Sequence, residues 1–269
     1  MKIFKTDMNI TNADENIAHA IAELVCGGTF VVLRNQSLTL EQQFQFCNKI
    51  GVCQEYTEQE RTKHIACHPN ILRVTGEKNE HGEEGLFGHT SALDWHANQA
   101  SNPDRAPLIW LRAAKGSQGS QTSWINMIDA YDDLSETWKE RLHECTITLG
   151  YKNGNYSDST FFVDHHSTDK PFRLVHTNSF GKTGLYFPFL QIFGMPGKSD
   201  EEFREIMEYL TQHVTQEKYQ YHHFWQDGDV VISEQWLSIH KRWEFSAMEQ
   251  RVLHRIAFDY SRVPSLCQK

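Results

Sequence analysis

Two places in this chain carry residues whose types and spacing suit ligand chemistry. The first is Leu93-Asp94-Trp95-His96-Ala97-Asn98. An imidazole and an amide oxygen two residues apart on a strand point to the same side, so His96 and Asn98 form a candidate pair of donors. The second place lies further along, where Arg251 stands eleven residues after His240 and Arg255 four residues beyond that. Arginines four apart on a strand share a face, and a guanidinium fork binds a carboxylate bidentately. With 15 histidines in the chain, residue type alone singles out none of them; most imidazoles are surface or hydrogen-bonded residues. His254 also adjoins an arginine, but it should share a face with Val252, opposite Leu253. That reads as a packed histidine.

Positioning these groups falls to a helical first part and a strand-rich remainder. Apolar residues at Ile17, Ala20, Ile21 and Leu24 predict a helix over Asn12 to Cys26, with Asn12 as N-cap. A strand at Thr29 to Leu33 follows a Gly-Gly turn. A second helix over Leu40 to Ile50 is announced by Thr39 and by Gln42 at capping-box spacing. Short strands are then predicted at Ile71 to Val74, Leu108 to Leu111, Thr146 to Leu149, Val230 to Ile232 and Val252 to Tyr260. One helix interrupts them around Glu201 to His213, with Glu201, Glu202, Glu205 and Glu208 on its solvent face. Two polar stretches, 76–91 and 152–170, read as long loops that could act as lids. No repeat or linker divides the chain, so residues 1–269 read as one domain. Helices followed by many strands predict an antiparallel barrel or sandwich buttressed by helices.

The order of several segments carries a resemblance. Leu93 to Asn98, a Pro-containing loop, Leu108 to Leu111, Gly119 to Trp124, Met127 to Tyr131, Trp225 to Ile232 and His240 through Arg255 together resemble the Fe(II)/2-oxoglutarate-dependent dioxygenases of the TauD/TfdA (taurine dioxygenase-like) type. The resemblance implies a mainly β fold with flanking helices, the double-stranded β-helix or jelly roll. It implies Fe(II), 2-oxoglutarate and O₂ as cofactor and co-substrates. His96, position 98 and His240 would ligate the metal, leaving its other face open. Arg251 and Thr122 would hold the 2-oxoglutarate carboxylate. Arg255 would meet an anionic group of the substrate, and His64 falls roughly where the family has a substrate-contacting histidine. The implied reaction oxidises an aliphatic C–H, by hydroxylation or desaturation, with release of succinate and CO₂.

This sequence departs from the family pattern at position 98, which holds Asn98 where the family has aspartate. An amide oxygen is a neutral and weaker donor to a dication. Three readings stay open: Asn98 ligates through its oxygen; Asp94 or Glu234 supplies the missing carboxylate; or the chain binds its ligands without oxidising them. A zinc hydrolase using two histidines is a further reading, which Arg251 argues against.

Composition agrees with an enzyme of small molecules. Hydrophobic residues make up 39% of the 269 and aromatics 12%, enough for a sizeable core. A formal charge of −9 with interspersed signs argues against nucleic acid as the main partner. The six cysteines lack C-x-x-C spacing, as expected of reduced thiols in a cytoplasm. No apolar run reaches the roughly 18 residues of a membrane span, and the start lacks the apolar stretch of a secretion signal. Cytoplasmic localisation is therefore expected, and the aromatics leave room for a homo-oligomeric interface.

Overall fold

The computed structural model describes residues 2–56, 68–78, 92–150, 167–247 and 250–267. The first strands are β1 (Lys2–Thr6), β2 (Thr29–Leu33), β3 (Leu72–Thr75), β4 (Leu93–His96), β5 (Leu108–Lys115) and β6 (Gln121–Asn126). After them come β7 (Thr146–Leu149), β8 (Ser167–Arg173), β9 (Val175–Thr177), β10 (Thr183–Leu185) and β11 (Ile192–Gly194). The last are β12 (Gln220–Phe224), β13 (Val230–Glu234), β14 (Ser238–Arg242) and β15 (Val252–Phe258). Helices α1 (Glu15–Cys26), α2 (Leu40–Ile50), α3 (Met127–Asp132), α4 (Glu136–His143) and α5 (Asp200–Val214) flank them.

Two sheets matter for the site. The larger, among the described residues, runs β1-β2-β13-β5-β15-β3 and the smaller β12-β6-β14-β4. Period-2 alternation sorts the larger sheet's side chains onto two faces. Val31, Leu33, Trp110, Ile232, Ile256 and Phe258 pack with Ile21, Val25, Phe46 and Ile50 of α1 and α2. The opposite register, Phe30, Val32, Ile109, Leu111, Val231 and Leu253, meets Trp124 of β6 and Trp225 in a core shared with the smaller sheet. Neighbouring Ile125 and Ile239 point away, toward a third core under α4 and α5. Two sheets packed face to face and covered by helices make the jelly roll. Among the described residues no helix is long and apolar enough to cross a membrane.

Most expected elements form close to their predicted bounds. The Thr39–Gln42 capping box is present in both directions. Helix α1, however, starts at Glu15, and its N-cap is Asp14, whose carboxylate accepts from the Ile17 backbone N–H at 3.0 Å. Asn12 and Asp14 are both good capping residues, so type alone could not choose between them. Residues 167–170, expected in a loop, begin β8; the rest of that stretch up to 166, and 79–91 of the other, lie outside the described residues.

Gly116 links this frame to the site. Its φ is +64°, and a Cβ there would lie 2.0 Å from the Gln250 carbonyl oxygen, directly before Arg251. Both neighbouring backbone N–H groups, of Gly116 and Ser117, are held by Asp227 at 3.1 and 2.9 Å, so the turn cannot retreat cheaply. Gly116→Ala should cost about 2–3 kcal/mol from strain and overlap. The expected result is a thermal midpoint lowered by several degrees; an unchanged midpoint would refute the close approach.

Candidate functional site

The inner faces of the two sheets diverge into a cavity open to solvent on one side, lined by Val74, Leu93, His96, Asn98, Leu111, Thr122, His240, Arg242, Arg251, Leu253 and Arg255. Strand alternation explains the membership. On β15 the inward positions are Leu253, Arg255 and Ala257, in phase with Arg251, while Val252 and His254 face away. His254 packs under α2, its Nδ1 3.2 Å from Gln43 Oε1. On β14, His240 and Arg242 face inward and Ile239 outward.

Two of the expected groups meet at the seam between β4 and β14. His96 and His240 are register partners, with ring centroids 4.2 Å apart. The His96 Nδ1 donates to the Asp94 carbonyl at 2.6 Å; a carbonyl can only accept, so this fixes the tautomer and leaves Nε2 as a free lone pair. Burial pulls His96 down to about 4; the Asp94 hydrogen bond opposes this, and Arg242 and Arg255 reinforce it. His240 lies well below its ordinary value through burial, then the nearby His96 and Arg255. Both imidazoles are therefore neutral at pH 7, the form that binds a cation.

Asn98 does not sit on the strand. β4 ends at His96, and Asn98 lies in the following turn, beside Gln99 with φ +52°, an uncommon backbone for a residue with a side chain. It nevertheless lines the cavity, and its Oδ1 accepts from Arg255 Nη1 at 2.9 Å. The backbone before it is clamped: buried Gln191 accepts from Ala97 N–H at 2.9 Å and donates to the Ala97 carbonyl at 3.1 Å.

Neither alternative acid reaches the site. The pairing of β14 with β4 slips by one residue between His240 and Arg242, and this bulge turns Asp94 outward. Its carboxylate is 49% exposed and lies 3.0 Å from Lys241 Nζ. Glu234 lines a different recess, near Gly28 and Asn126, where it accepts the backbone N–H groups of Trp236 and Leu237 at 3.1 and 2.8 Å. No carboxylate among the described residues lines the cavity. Consistent with that, no group of three or more His, Cys, Asp or Glu among them could hold a metal; the third donor available is an amide.

Thr122 faces the cavity from β6. Its Oγ1 accepts from Trp225 Nε1 at 2.9 Å, which leaves the hydroxyl proton free to donate. Arg251 is 1% exposed; burial, then Arg242, brings it down to about 9, and burial brings Arg242 to about 10. Both remain cations at neutral pH. His64 lies outside the described residues. Two contributors went unrecognised in the sequence. Arg242 could have been found by its position two residues past His240; Gln191, nearly a hundred residues from Ala97, offered no such signal.

The buried histidines also predict acid sensitivity. His96, His240 and His254 are all depressed below their unfolded value near 6.5. As pH falls below 6.5 the unfolded chain takes up protons that the folded one refuses, so stability is lost toward pH 4, by about 1.4 kcal/mol per pH unit for each. Glu234, pushed up to about 7 by burial, acts in the opposite sense above about 4.5 and offsets one of them. Metal-free protein should therefore show a urea midpoint distinctly lower at pH 5 than at pH 7.5. Equal midpoints would contradict the neutral burial of these rings.

The model of the family described as "Taurine catabolism dioxygenase TauD, TfdA family" matches residues 4–257. Pentalenolactone F synthase of Streptomyces arenae is 24% identical over 209 residues, covering 70% of this chain and 70% of its own length. The (S)-phenoxypropionate/alpha-ketoglutarate-dioxygenase of Sphingobium herbicidovorans is 26% identical over 246 residues, covering 85% and 82%. A crystal structure of AAD-2 in complex with Mn(II) and N-oxalylglycine shares the fold with a TM-score of 0.79 at 20% identity, over 96% of this chain and 94% of that one.

Proposed function

This chain belongs to the taurine catabolism dioxygenase TauD, TfdA family, and from that premise we propose that it oxidises an aliphatic C–H of a small anionic or amino-acid-like substrate. The family's enzymes are 2-oxoglutarate-dependent dioxygenases that use Fe(II), 2-oxoglutarate and O₂. The observation that carries the reading is the convergence of His96, His240, Thr122, Arg251 and Arg255 on one cavity.

The donor set fits a divalent cation. His96 and His240 would bind through neutral imidazole nitrogens, and Asn98 would add an oxygen with one negative charge fewer than aspartate supplies. When bound, the iron with 2-oxoglutarate supplies the oxidising power, with O₂ consumed and succinate and CO₂ released. The chain's own residues bind and orient. The Asp94 carbonyl keeps the His96 donor nitrogen directed away from itself. Arg251 would grip the distal carboxylate of 2-oxoglutarate with its fork, assisted by the free proton of Thr122. Val74, Leu93, Leu111 and Leu253 would keep water off the reacting carbon. Arg255, on the same strand face as Arg251, suits a substrate carboxylate, sulfonate, sulfate or phosphonate. The carboxylate of phenoxypropionate, named for one relative, is of that class. Hydroxylation and desaturation are both open to such a site, and we place the enzyme in the cytoplasm.

A second reading has an observation of its own. Asn98 Oδ1 is engaged by Arg255 and no described acid replaces the missing charge, as expected of a protein that binds 2-oxoglutarate without oxidising a substrate. Anaerobic Fe(II) titration with 2-oxoglutarate present, followed by succinate assay in air with small anionic substrates, separates the two. Iron binding with succinate release is the expected result. Absence of iron binding would sink the oxygenase reading.

A further inference from the structure

Arg255 makes a contact that a guanidinium serving substrate alone would not. Its Nη1 reaches from the larger sheet to Asn98 Oδ1 at 2.9 Å, and both side chains line the cavity with His96 and His240. Arg255 is 8% exposed, and its Nε has no hydrogen-bond partner among the described residues. One edge of the fork is thus committed to the amide while a further buried donor goes unused. That spare donor suits an incoming anion.

The contact bears on how well Asn98 can serve a cation. An amide oxygen has two lone pairs, and a charge-assisted hydrogen bond draws on one of them. The guanidinium also sets a full positive charge beside the oxygen, which repels a dication there. An aspartate at this position would carry its own charge and tolerate the arginine. A neutral amide has no such reserve, so its donor strength depends on what Arg255 is doing.

We infer that Arg255 is a latch on the third metal-binding position: unliganded it holds Asn98 Oδ1 and disfavours the cation, and an anionic group that engages Arg255 frees that oxygen for the metal. The inference rests on the reading of His96 and His240 as metal ligands. Metal and anion then bind with positive coupling, and by linkage each raises the other's affinity by the same factor. The substitution at position 98 thereby becomes a control element: the site is completed when substrate is present.

The test is Mn(II) binding, followed by electron paramagnetic resonance, with and without propane-1-sulfonate, at ionic strength matched by sodium chloride. Saturating sulfonate is expected to tighten Mn(II) binding about tenfold in the unaltered protein, within the usual range of site coupling. In Asn98→Ala, Mn(II) should bind weakly and the sulfonate effect should fall below about twofold. In Arg255→Gln, Mn(II) affinity should no longer respond to sulfonate. Equal coupling in the unaltered protein and Asn98→Ala would overturn the latch, because simple attraction between anion and cation would then suffice. So would Mn(II) binding that sulfonate leaves unchanged in the unaltered protein. Failure of Mn(II) to bind at all is a different result, which removes the metal-site reading and the latch with it.

Discussion

Arg251→Gln is expected to weaken 2-oxoglutarate binding by about 100-fold or more, since losing one partner of a buried, hydrogen-bonded charge pair costs roughly 2–5 kcal/mol. Arg251 is almost fully buried and stands beside a second cation, Arg242, with no carboxylate among the described residues on the cavity wall. A dianionic co-substrate entering such a place leaves water and needs a fork in its stead. Glutamine keeps much of the length and some donor capacity but removes the charge. Arg251→Lys should fall between, because an ammonium is a point charge without bidentate geometry. Calorimetry with 2-oxoglutarate measures all three proteins, and circular dichroism checks that each is folded. Binding of the glutamine variant within threefold of the unaltered protein would remove Arg251 from the co-substrate site.

Asn98→Asp carries the second large effect, in the direction of gain. A carboxylate at this position would meet Arg255 Nη1, now 2.9 Å from the amide oxygen, and two neutral imidazoles on the adjoining strands. Arg255 offsets the desolvation of the new charge before any metal arrives. With metal present, the added negative charge should raise Fe(II) or Mn(II) affinity by about 10- to 100-fold, at least the scale known for outer-shell changes. The variant should also bind metal without help from an anion. Competition against a metal-sensitive dye reads the affinity; no gain would mean that the position 98 oxygen does not face the cation.

How far the sequence revealed these features depends on the range of the interaction. The Thr39–Gln42 box is decided within four residues, and it was legible. So was the inward phase shared by Arg251 and Arg255, because alternation along one strand needs no knowledge of its partners. The packing of His254 on the opposite face followed from the same rule; that α2 covers it did not. What failed was the assumption that β4 runs on through position 98, and with it the reading that Asp94 could supply the missing carboxylate. The second error comes from a slip in pairing between β14 and β4, a property of two strands more than a hundred residues apart; the first comes from Gln191, whose amide takes both backbone groups of Ala97 where a strand partner would have. Arg242 was missed because the strand carrying His240 was given no bounds, so its next inward position was not read. Gln191 was missed because a side-chain amide that clamps a distant backbone leaves no periodic trace. Helix α1's cap fell between two local candidates of equal chemistry, and the helix boundary moved with it.

The turn at position 98 has a consequence for descent. The two histidines are tied into a sheet, where a substitution disturbs strand pairing and core packing together. Residue 98 lies two positions beyond the end of β4, and the Gln191 amide holds the backbone just ahead of it. Side chains can therefore be exchanged there while the barrel folds as before. A lineage could pass from aspartate to asparagine and back by single steps, each folded, each with a different appetite for metal. The jelly roll in this way shelters its chemistry from its architecture, and position 98 is where this protein could explore.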